Sequence, residues 1–206
     1  GSNSKNYGDG FTTMYGANHE DIAYSYRTGN HGDGSWYSIN GNIDYQRTSR
    51  KNKQRMITFS YKINTQPQTS NSNTGYEDIH AKEEVDDLVK RLLLKNSQSD
   101  GKTNTMEQTF QVDYTTPIGE LHTVEAGAKY IFRRNTSDNK LYEAAGGSDD
   151  YLYNEDRSSD YRHLNHILAA YLGYTLKYKD FTFKPGVRYE QTVQRVKYIV
   201  GPGENF

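Results

Sequence analysis

A two-residue alternation of apolar and polar side chains runs from Leu168 to Val193 and limits what this chain can fold into. Side chains of a β-strand point alternately to its two faces, so this period predicts strands with one apolar and one charged face. Lys179 and Asp180 interrupt the alternation and predict a tight turn. The stretch is therefore predicted to form one β-hairpin.

The same alternation recurs in shorter segments along the whole chain. Strands are predicted at 11–15, 22–27, 37–46, 57–64, 106–114 and 124–133. Turns are predicted at 17–20, 48–53 and 117–120, and a loop rich in Gly and Asn at 28–34. We expect residues 1–206 to form a single all-β unit, an antiparallel up-and-down meander of about eight strands that pair in sequence order.

Strand register makes the two faces of the sheet predictable, because a slip of one residue would move every side chain to the wrong face. The apolar set expected on one face is Ile39, Ile43, Ile57, Phe59, Phe110, Val112, Val124, Ala126, Leu172, Tyr174, Phe183 and Val187. The charged set expected on the other is Asp44, Lys62, Glu107, Asp113, Glu125, Lys129, Lys184, Arg188 and Glu190. The charged face is either the wall of a water-filled lumen or the solvent side of an open sheet.

Two long polar stretches lack the alternation and are predicted to be loops, at 66–105 and 134–161. The first contains the only helical signal in the chain: Val85, Leu88, Val89 and Leu92 recur at helical spacing. Acidic residues at 83–87 precede the basic residues Lys90, Arg91 and Lys95, an order that complements the helix dipole. A short amphipathic helix on the first long loop is therefore expected.

The predicted connections alternate in length along the chain. Short links near 17–20, 48–53, 117–120 and 179–180 alternate with longer ones at 28–35, 66–105 and 134–161. Because alternate connections of a meander lie at opposite ends, one end should carry short turns and the other long loops. This asymmetry, with strands of about ten residues, is typical of outer-membrane barrels.

Composition excludes several classes of protein. The formal net charge of −1 gives no strong attraction to nucleic acid, and the absence of cysteine excludes disulfides and thiolate metal sites. No apolar run approaches the roughly 18 residues of a transmembrane helix. Tyrosine is abundant, with 19 residues, and tyrosine favours strands and surfaces that are apolar at one end and wet at the other.

No catalytic or metal-binding residues are predicted, and the ligand-binding residues are left unknown. His163 and His166 are three apart, which places them on opposite faces of a strand and unable to share a metal. The acidic residues Asp149, Asp150, Glu155 and Asp156 lack the ligand spacing of a calcium loop, and Glu83, Glu84, Asp86 and Asp87 fit a solvated helix start. With no nucleophile–base motif and no phosphate-binding glycine loop, we expect neither an enzyme nor a bound cofactor.

Three segments carry a family resemblance: YSINGNIDYQRTSRKNKQRMITFSYKIN, MEQTFQVDYTTPIGELHTVEAGAKY and LNHILAAYLGYTLKYKDFTFKPGVRYEQT. They resemble the barrel portion of Bacteroidota outer-membrane proteins of the TonB-dependent receptor type. The resemblance implies an internal fragment of a larger barrel, located in the bacterial outer membrane and surrounded by its lipid. It also implies that the parent protein takes up a ligand, with a plug domain and a periplasmic energy-coupling protein as partners.

Two other interpretations remain open at this stage. The mean hydropathy of −1.01 favours a soluble β-rich module that binds a ligand or stacks carbohydrate on its tyrosines. The strand count also allows a complete small eight-stranded barrel. If the chain is an excised segment, its two open sheet edges should promote self-association with other copies.

Overall fold

Ten antiparallel β-strands in one sheet make up most of the chain in the computed structural model, which describes residues 1–16, 21–83, 86–201 and 203–205. The strands are β1 (Ser2–Tyr15), β2 (Ile22–Trp36), β3 (Ile39–Thr48), β4 (Met56–Ala81), β5 (Lys95–Ile118), β6 (His122–Ala145), β7 (Leu152–Tyr153), β8 (Ser159–Tyr178), β9 (Phe181–Phe183) and β10 (Gly186–Val200). The predicted turn at 17–20, and Glu84 and Val85 of the predicted helix, lie outside the described residues.

The sheet is an open meander, which confirms the predicted fold class. Its order is β1-β2-β4-β5-β6-β8-β10, with β3 paired to β4, β7 to β6 and β9 to β8. The count is ten rather than about eight because the return strand of the last hairpin is divided into β9 and β10, and because the two-residue strand β7 pairs with β6. β2 and β3 lie along one path against β4, so β3 pairs with β4 rather than with its predecessor β2.

Prolines coincide with both interruptions. The gap between β2 and β3 lies opposite Pro67 of β4, since Trp36 pairs with Gln68 and Ile39 with Thr65. Pro185 stands between β9 and β10. Proline has no backbone N–H and removes one ladder hydrogen bond, so the pairing is interrupted where it occurs.

Register confirms the predicted faces. One cross-strand row contains Tyr45, Phe59, Val112, Ala128, Ala170 and Tyr189. Counting in steps of two from this row places the whole predicted apolar set on one face, which we call the apolar face. The predicted charged set lies on the other, the charged face, except that Lys184 falls in the interruption between β9 and β10.

Most apolar side chains of the apolar face lie along the lower halves of β4, β5, β6 and β8, which are the halves nearest the turns at 49–55, 119–121 and 179–180. On β6 the band begins at His122 and ends at Phe132, after which Arg134, Thr136 and Asp138 occupy the same face. Eleven residues span about 33 Å along a strand. When the strand tilts by about 40° from the barrel axis, this length corresponds to a band about 25 Å tall. We call this region the apolar band.

The predicted loops at 66–105 and 134–161 are largely wrong, because most of these residues are strand. β4 continues to Ala81, β5 begins at Lys95 and β6 continues to Ala145. Beyond the apolar band both faces of these strands meet water and both are polar, so no alternation reveals them. Cross-strand hydrogen bonds between small polar side chains join them, including Thr65–Asn104 at 3.1 Å and Ser99–Asn139 at 3.0 Å.

The predicted loop at 28–34 and link at 28–35 are also wrong. These residues belong to β2, which pairs with β1 on one side and β4 on the other. Their Gly and Asn content favours turns. Two flanking strands nevertheless provide hydrogen-bond partners for the backbone, and this tertiary pairing outweighs the local preference.

The short helix is present, with a smaller buried surface than predicted. An α-helical turn, α1 (Asp86–Leu88), continues as a π-helical turn at Val89–Leu93. Of the three stripe residues that the structure describes, Val89 is buried, at 1% exposure, whereas Leu88 and Leu92 are 50% and 67% exposed. Lys95 belongs to β5 rather than to the helix.

Ion pairs along the helix follow the predicted order of charge. Lys90 and Asp86 lie 2.9 Å apart, and Arg91 and Asp87 lie 2.7 Å apart, each pair at a spacing of four residues. No described helix has the length and apolar character needed to cross a membrane.

The two ends of the sheet differ as predicted for the later connections. The connections at 82–94 and 146–158 lie at one end, the loop end, and the turns at 49–55, 119–121 and 179–180 lie at the other, the turn end. The predicted short link at 17–20 lies outside the described residues, and the flanking residues Tyr15 and Ile22 are at the loop end, where Tyr24 pairs with Ala81.

Candidate functional site

The charged face collects acidic and basic groups from six neighbouring strands of the sheet. Arg133 of β6 is paired with Glu107 of β5 at 2.5 Å, and Arg188 with Glu190 of β10 at 2.6 Å. The first pair joins residues in direct register across two strands. The face therefore combines opposite charges in a water-exposed layer, as in the wall of a polar channel.

A groove of about 470 Å³ lies on this face near β3, β4 and β5. Its polar lining includes Asn42, Asp44, Lys62, Asn64, Glu107 and Thr109. Asn42 donates a hydrogen bond to Asp44 at 3.0 Å. The groove offers two carboxylates, one ammonium group and several amides, so it can hydrogen-bond a polar solute.

Tyr171 spans a whole strand to reach a partner on the charged face. Its hydroxyl donates a hydrogen bond of 2.7 Å to Asp113, and Gly127 of β6 lies between the two in the same cross-strand row. A Cβ atom at Gly127 would lie 2.4 Å from the tyrosine ring and 2.6 Å from the Asp113 carboxylate. The missing side chain at this position therefore makes the contact between β5 and β8 possible.

Three side chains on the charged face have buried polar atoms without hydrogen-bond partners in the described part of the chain. They are Asn135 Oδ1, His163 Nε2 and Asn165 Oδ1. Asn135 and His163 are register partners, and Asn165 pairs with Arg133. Unpaired buried polar atoms are costly, so this cluster is a position at which water or a bound solute would supply the missing partner.

At the loop end, Glu143 of β6 fixes the connection at 146–158. It accepts hydrogen bonds from Asn154 at 2.6 Å and from Arg157 at 2.5 Å, and Lys95 lies 3.8 Å away. The hydrogen bond from Asn154, with the charges of Lys95 and Arg157, holds the pKa of the Glu143 carboxyl below its usual range despite partial burial. The carboxylate is therefore ionised at neutral pH and holds the connection in place through Asn154 and Arg157, an arrangement that we call the clasp.

Hydrogen bonds between side chains and backbone groups complete the packing of this end. Asn96 accepts from the Tyr76 amide at 2.8 Å and donates to the Ser148 carbonyl at 3.0 Å. The buried Ser158 accepts from the Leu141 amide at 2.9 Å. The connection at 146–158 is thus held against β4, β5 and β6.

A polar pocket of about 750 Å³ opens between the helix and this connection. Its lining includes Arg91, Lys95, Glu143, Asp150, Tyr153 and Asp156. This pocket and the groove on the charged face are two water-accessible candidates for ligand contact. A third groove, of about 450 Å³, opens on the apolar band between Ile43 and Leu168 and offers almost no polar surface.

The histidines and acidic clusters considered from the sequence are separated by the fold. His163 lies on the charged face, and His166 lies on the apolar face, where it hydrogen-bonds Tyr130 at 2.7 Å. Asp150 and Asp156 line the loop-end pocket, and Asp86 and Asp87 pair with bases of the helix. Glu143 and Tyr171 were missed as site residues, because their partners are 11 to 58 positions away in sequence.

The apolar band indicates what kind of environment surrounds the sheet. Ile43 and Val187 are both 70% exposed, and many other large hydrophobic side chains on this face are also exposed. A contiguous apolar surface of this extent needs a non-aqueous partner. The sequence model of the outer membrane protein β-barrel family matches residues 47–202, which is more than half of the chain. The chain belongs to this family.

The family supports an outer-membrane location for the protein. Aromatic rings gather near one border of the band: Tyr61 and Phe110 lie 4.7 Å apart, and Phe132 and His166 lie 5.1 Å apart. Such a girdle is a feature of membrane barrels, whose aromatic side chains sit at the interface with water.

Other comparisons add little to this assignment. A solved structure described as the ferric citrate transporter FecA in the unliganded form matches 96% of this chain with 12% identity and a TM-score of 0.34. The chain spans 36% of the length of that structure. No curated protein sequence matches the chain.

Proposed function

We propose that this chain is a segment of the barrel of an outer-membrane transporter or receptor that mediates uptake of a ligand across the bacterial outer membrane. The observation that supports this proposal most directly is that one sheet has two different faces. One face has an exposed apolar band about 25 Å tall, and the opposite face is rich in paired charges. The charged face forms the lumen wall, and the groove with Asp44, Lys62 and Glu107 contacts the polar solute.

The resemblance of the three strand segments supports a receptor of the TonB-dependent type from Bacteroidota. The proposed partners are outer-membrane lipid around the apolar band, a plug domain inside the barrel and a periplasmic energy-coupling protein. No nucleic acid partner and no catalytic step are part of the proposal. The isolated segment is expected to self-associate through its open strand edges.

Uptake by the full-length protein tests the proposal. Cells that express it, cells that lack it and cells that carry Asp44→Lys with Lys62→Glu are grown in a defined mixture of solutes. Expressing cells should deplete at least one solute that cells without the protein leave behind, and the charge-reversed variant should deplete it more slowly. A matched control reverses Asp86 and Lys90 on the helix, which are far from the lumen groove.

Two results would contradict the proposal. One is identical depletion by all strains for every solute, with the protein present at normal levels. The other is recovery of the full-length protein from cells as a soluble monomer without detergent, which would favour the soluble binding module.

A further inference from the structure

Four basic side chains occupy the apolar face immediately beyond the apolar band, on the side of the loop end. Arg134 of β6, Arg162 of β8, and Arg195 and Lys197 of β10 are all exposed. Arg134 and Arg195 flank Leu164 in one cross-strand row, and Arg162 pairs directly with Lys197 in the next row outward. The row below them contains Phe132 and His166 of the aromatic girdle.

These bases are not neutralised by the protein. Among the residues that the structure describes, none of the four has a carboxylate within the 4.0 Å that defines an ion pair. Acids first occur one row further out, as Asp138 and Asp160, and Asp138 is already 3.9 Å from Lys140. Like charges placed directly opposite each other on neighbouring strands destabilise a sheet, so an anion bound between Arg162 and Lys197 would stabilise their pairing.

The position of the bases identifies where that anion comes from. They lie on the surface that faces lipid, at the level at which hydrocarbon gives way to headgroups. Long basic side chains at such a border reach into the headgroup layer, and basic pockets there bind anionic lipid headgroups. A groove of about 550 Å³ on this face provides room for a headgroup, and its charged lining consists of the bases Lys102, Arg134 and Arg162 and, at its outer side, the acids Asp138 and Asp160.

We propose that Arg134, Arg162, Arg195 and Lys197 form a binding site for the phosphate groups of an outer-leaflet lipid, with Lys102 at its edge. The guanidinium groups donate paired hydrogen bonds to phosphate oxygens, and the acyl chains lie on the apolar band below. This inference rests on the proposed location in the outer membrane and on the orientation that is general for outer-membrane barrels, in which the end with long loops faces outward, and it does not depend on ligand uptake.

The test measures lipid binding to the detergent-purified full-length protein by native mass spectrometry. The probes are diphosphorylated lipid A and the same lipid with both phosphates removed. The variant R134Q/R162Q/R195Q/K197Q is compared with R50Q/K51Q/K53Q/K179Q, which loses the same charge from the turn end. Heat-dependent migration in gels verifies that each barrel is folded, and R162Q/K197Q replaces the first variant if that variant does not fold.

We expect binding of the diphosphorylated lipid to weaken at least tenfold in the first variant and to stay within twofold of wild type in the control. The dephosphorylated lipid should bind the wild type at least tenfold more weakly than the diphosphorylated lipid. Wild-type affinity in the first variant, equal loss in the control, or equal binding of both lipids would each overturn the inference. None of these readouts involves solute uptake, so the proposed function is tested separately.

Discussion

At the scale of single residues, contacts across an intervening strand hold the charged face together. Tyr171 hydrogen-bonds Asp113 over Gly127, and at the loop end Glu143 binds both Asn154 and Arg157. In both places one small or charged residue sets the position of a neighbour distant in sequence. Substitutions at these two positions therefore have specific, separable consequences.

Gly127→Val should lower the free energy of unfolding of the full-length barrel by about 1–3 kcal/mol, because the new side chain overlaps the Tyr171 ring and the Asp113 carboxylate. Gly173→Val is the matched control, since the nearest atom to its Cβ position is 3.7 Å away. Equilibrium unfolding in urea, in lipid vesicles, measures both. Equal destabilisation by the two variants would show that the close approach at Gly127 is unimportant.

Acidification should release the connection at 146–158. The pKa of Glu143 is lowered in the folded protein, so its carboxylate stabilises the clasp above the unfolded pKa of about 4.3, and this stabilisation is lost as pH falls through the lower folded pKa. A spin label on Glu155→Cys should become more mobile below about pH 4.3. Adding Glu143→Gln should make the label mobile at all pH values, and a pH-dependent response that persists in this variant would contradict the assignment.

At the scale of elements, β4, β5 and β6 each combine two kinds of strand in one. Side chains in their lower halves alternate between the apolar face and the charged face. Their upper halves are polar on both faces and continue beyond the band. The low mean hydropathy of −1.01 follows from these upper halves. It is therefore compatible with a membrane barrel.

The cost of a charge on the apolar face should depend on depth within the band. Ala128 lies near the middle of the band on β6, and Val124 lies one row from its lower border at His122. Ala128→Arg should lower the free energy of unfolding by about 2–4 kcal/mol. Val124→Arg should lower it less, because a cation near the border of the band reaches the interface with water. Lys129→Gln, on the charged face, serves as the control and should change the free energy of unfolding little. Unfolding in lipid vesicles measures all three, and equal costs for Ala128→Arg and Val124→Arg would argue against this placement of the band.

At the scale of the whole molecule, the two ends of the sheet differ, and this asymmetry predicts the orientation of the barrel in the membrane. Two ordered connections and the loop-end pocket lie at one end, and short turns lie at the other. Outer-membrane barrels place long loops outside the cell and short turns in the periplasm. Under the proposed function, the loop-end pocket would be the first surface that the solute meets.

Labelling of intact cells tests this orientation. The chain has no cysteine, so single cysteines can be introduced at Glu155 in the connection and at Lys51 in a turn. A membrane-impermeant maleimide should label Glu155→Cys in intact cells, and Lys51→Cys only after the outer membrane is disrupted. The reverse pattern would invert the proposed orientation and remove the basis for an outer-leaflet lipid site.

The sequence by itself determined the antiparallel meander and the two faces of the sheet. The period of two is a local property, and every predicted residue of the apolar set, from Ile39 to Val187, lies on the predicted face. The turn at Lys179 and Asp180 was equally clear, because a tight turn uses only neighbouring residues.

Only the tertiary structure decided how far the strands extend and which side chains meet. Residues 66–81 and 95–105 have no apolar face, so their sequence shows no alternation that would predict a strand. They are extended because neighbouring strands satisfy their backbone hydrogen bonds. The contact of Tyr171 with Asp113, the clasp at Glu143 and the row of Arg162 and Lys197 likewise depend on register between distant segments. Local periodicity carries no information about such pairings, because each requires two strands to be aligned to within one residue.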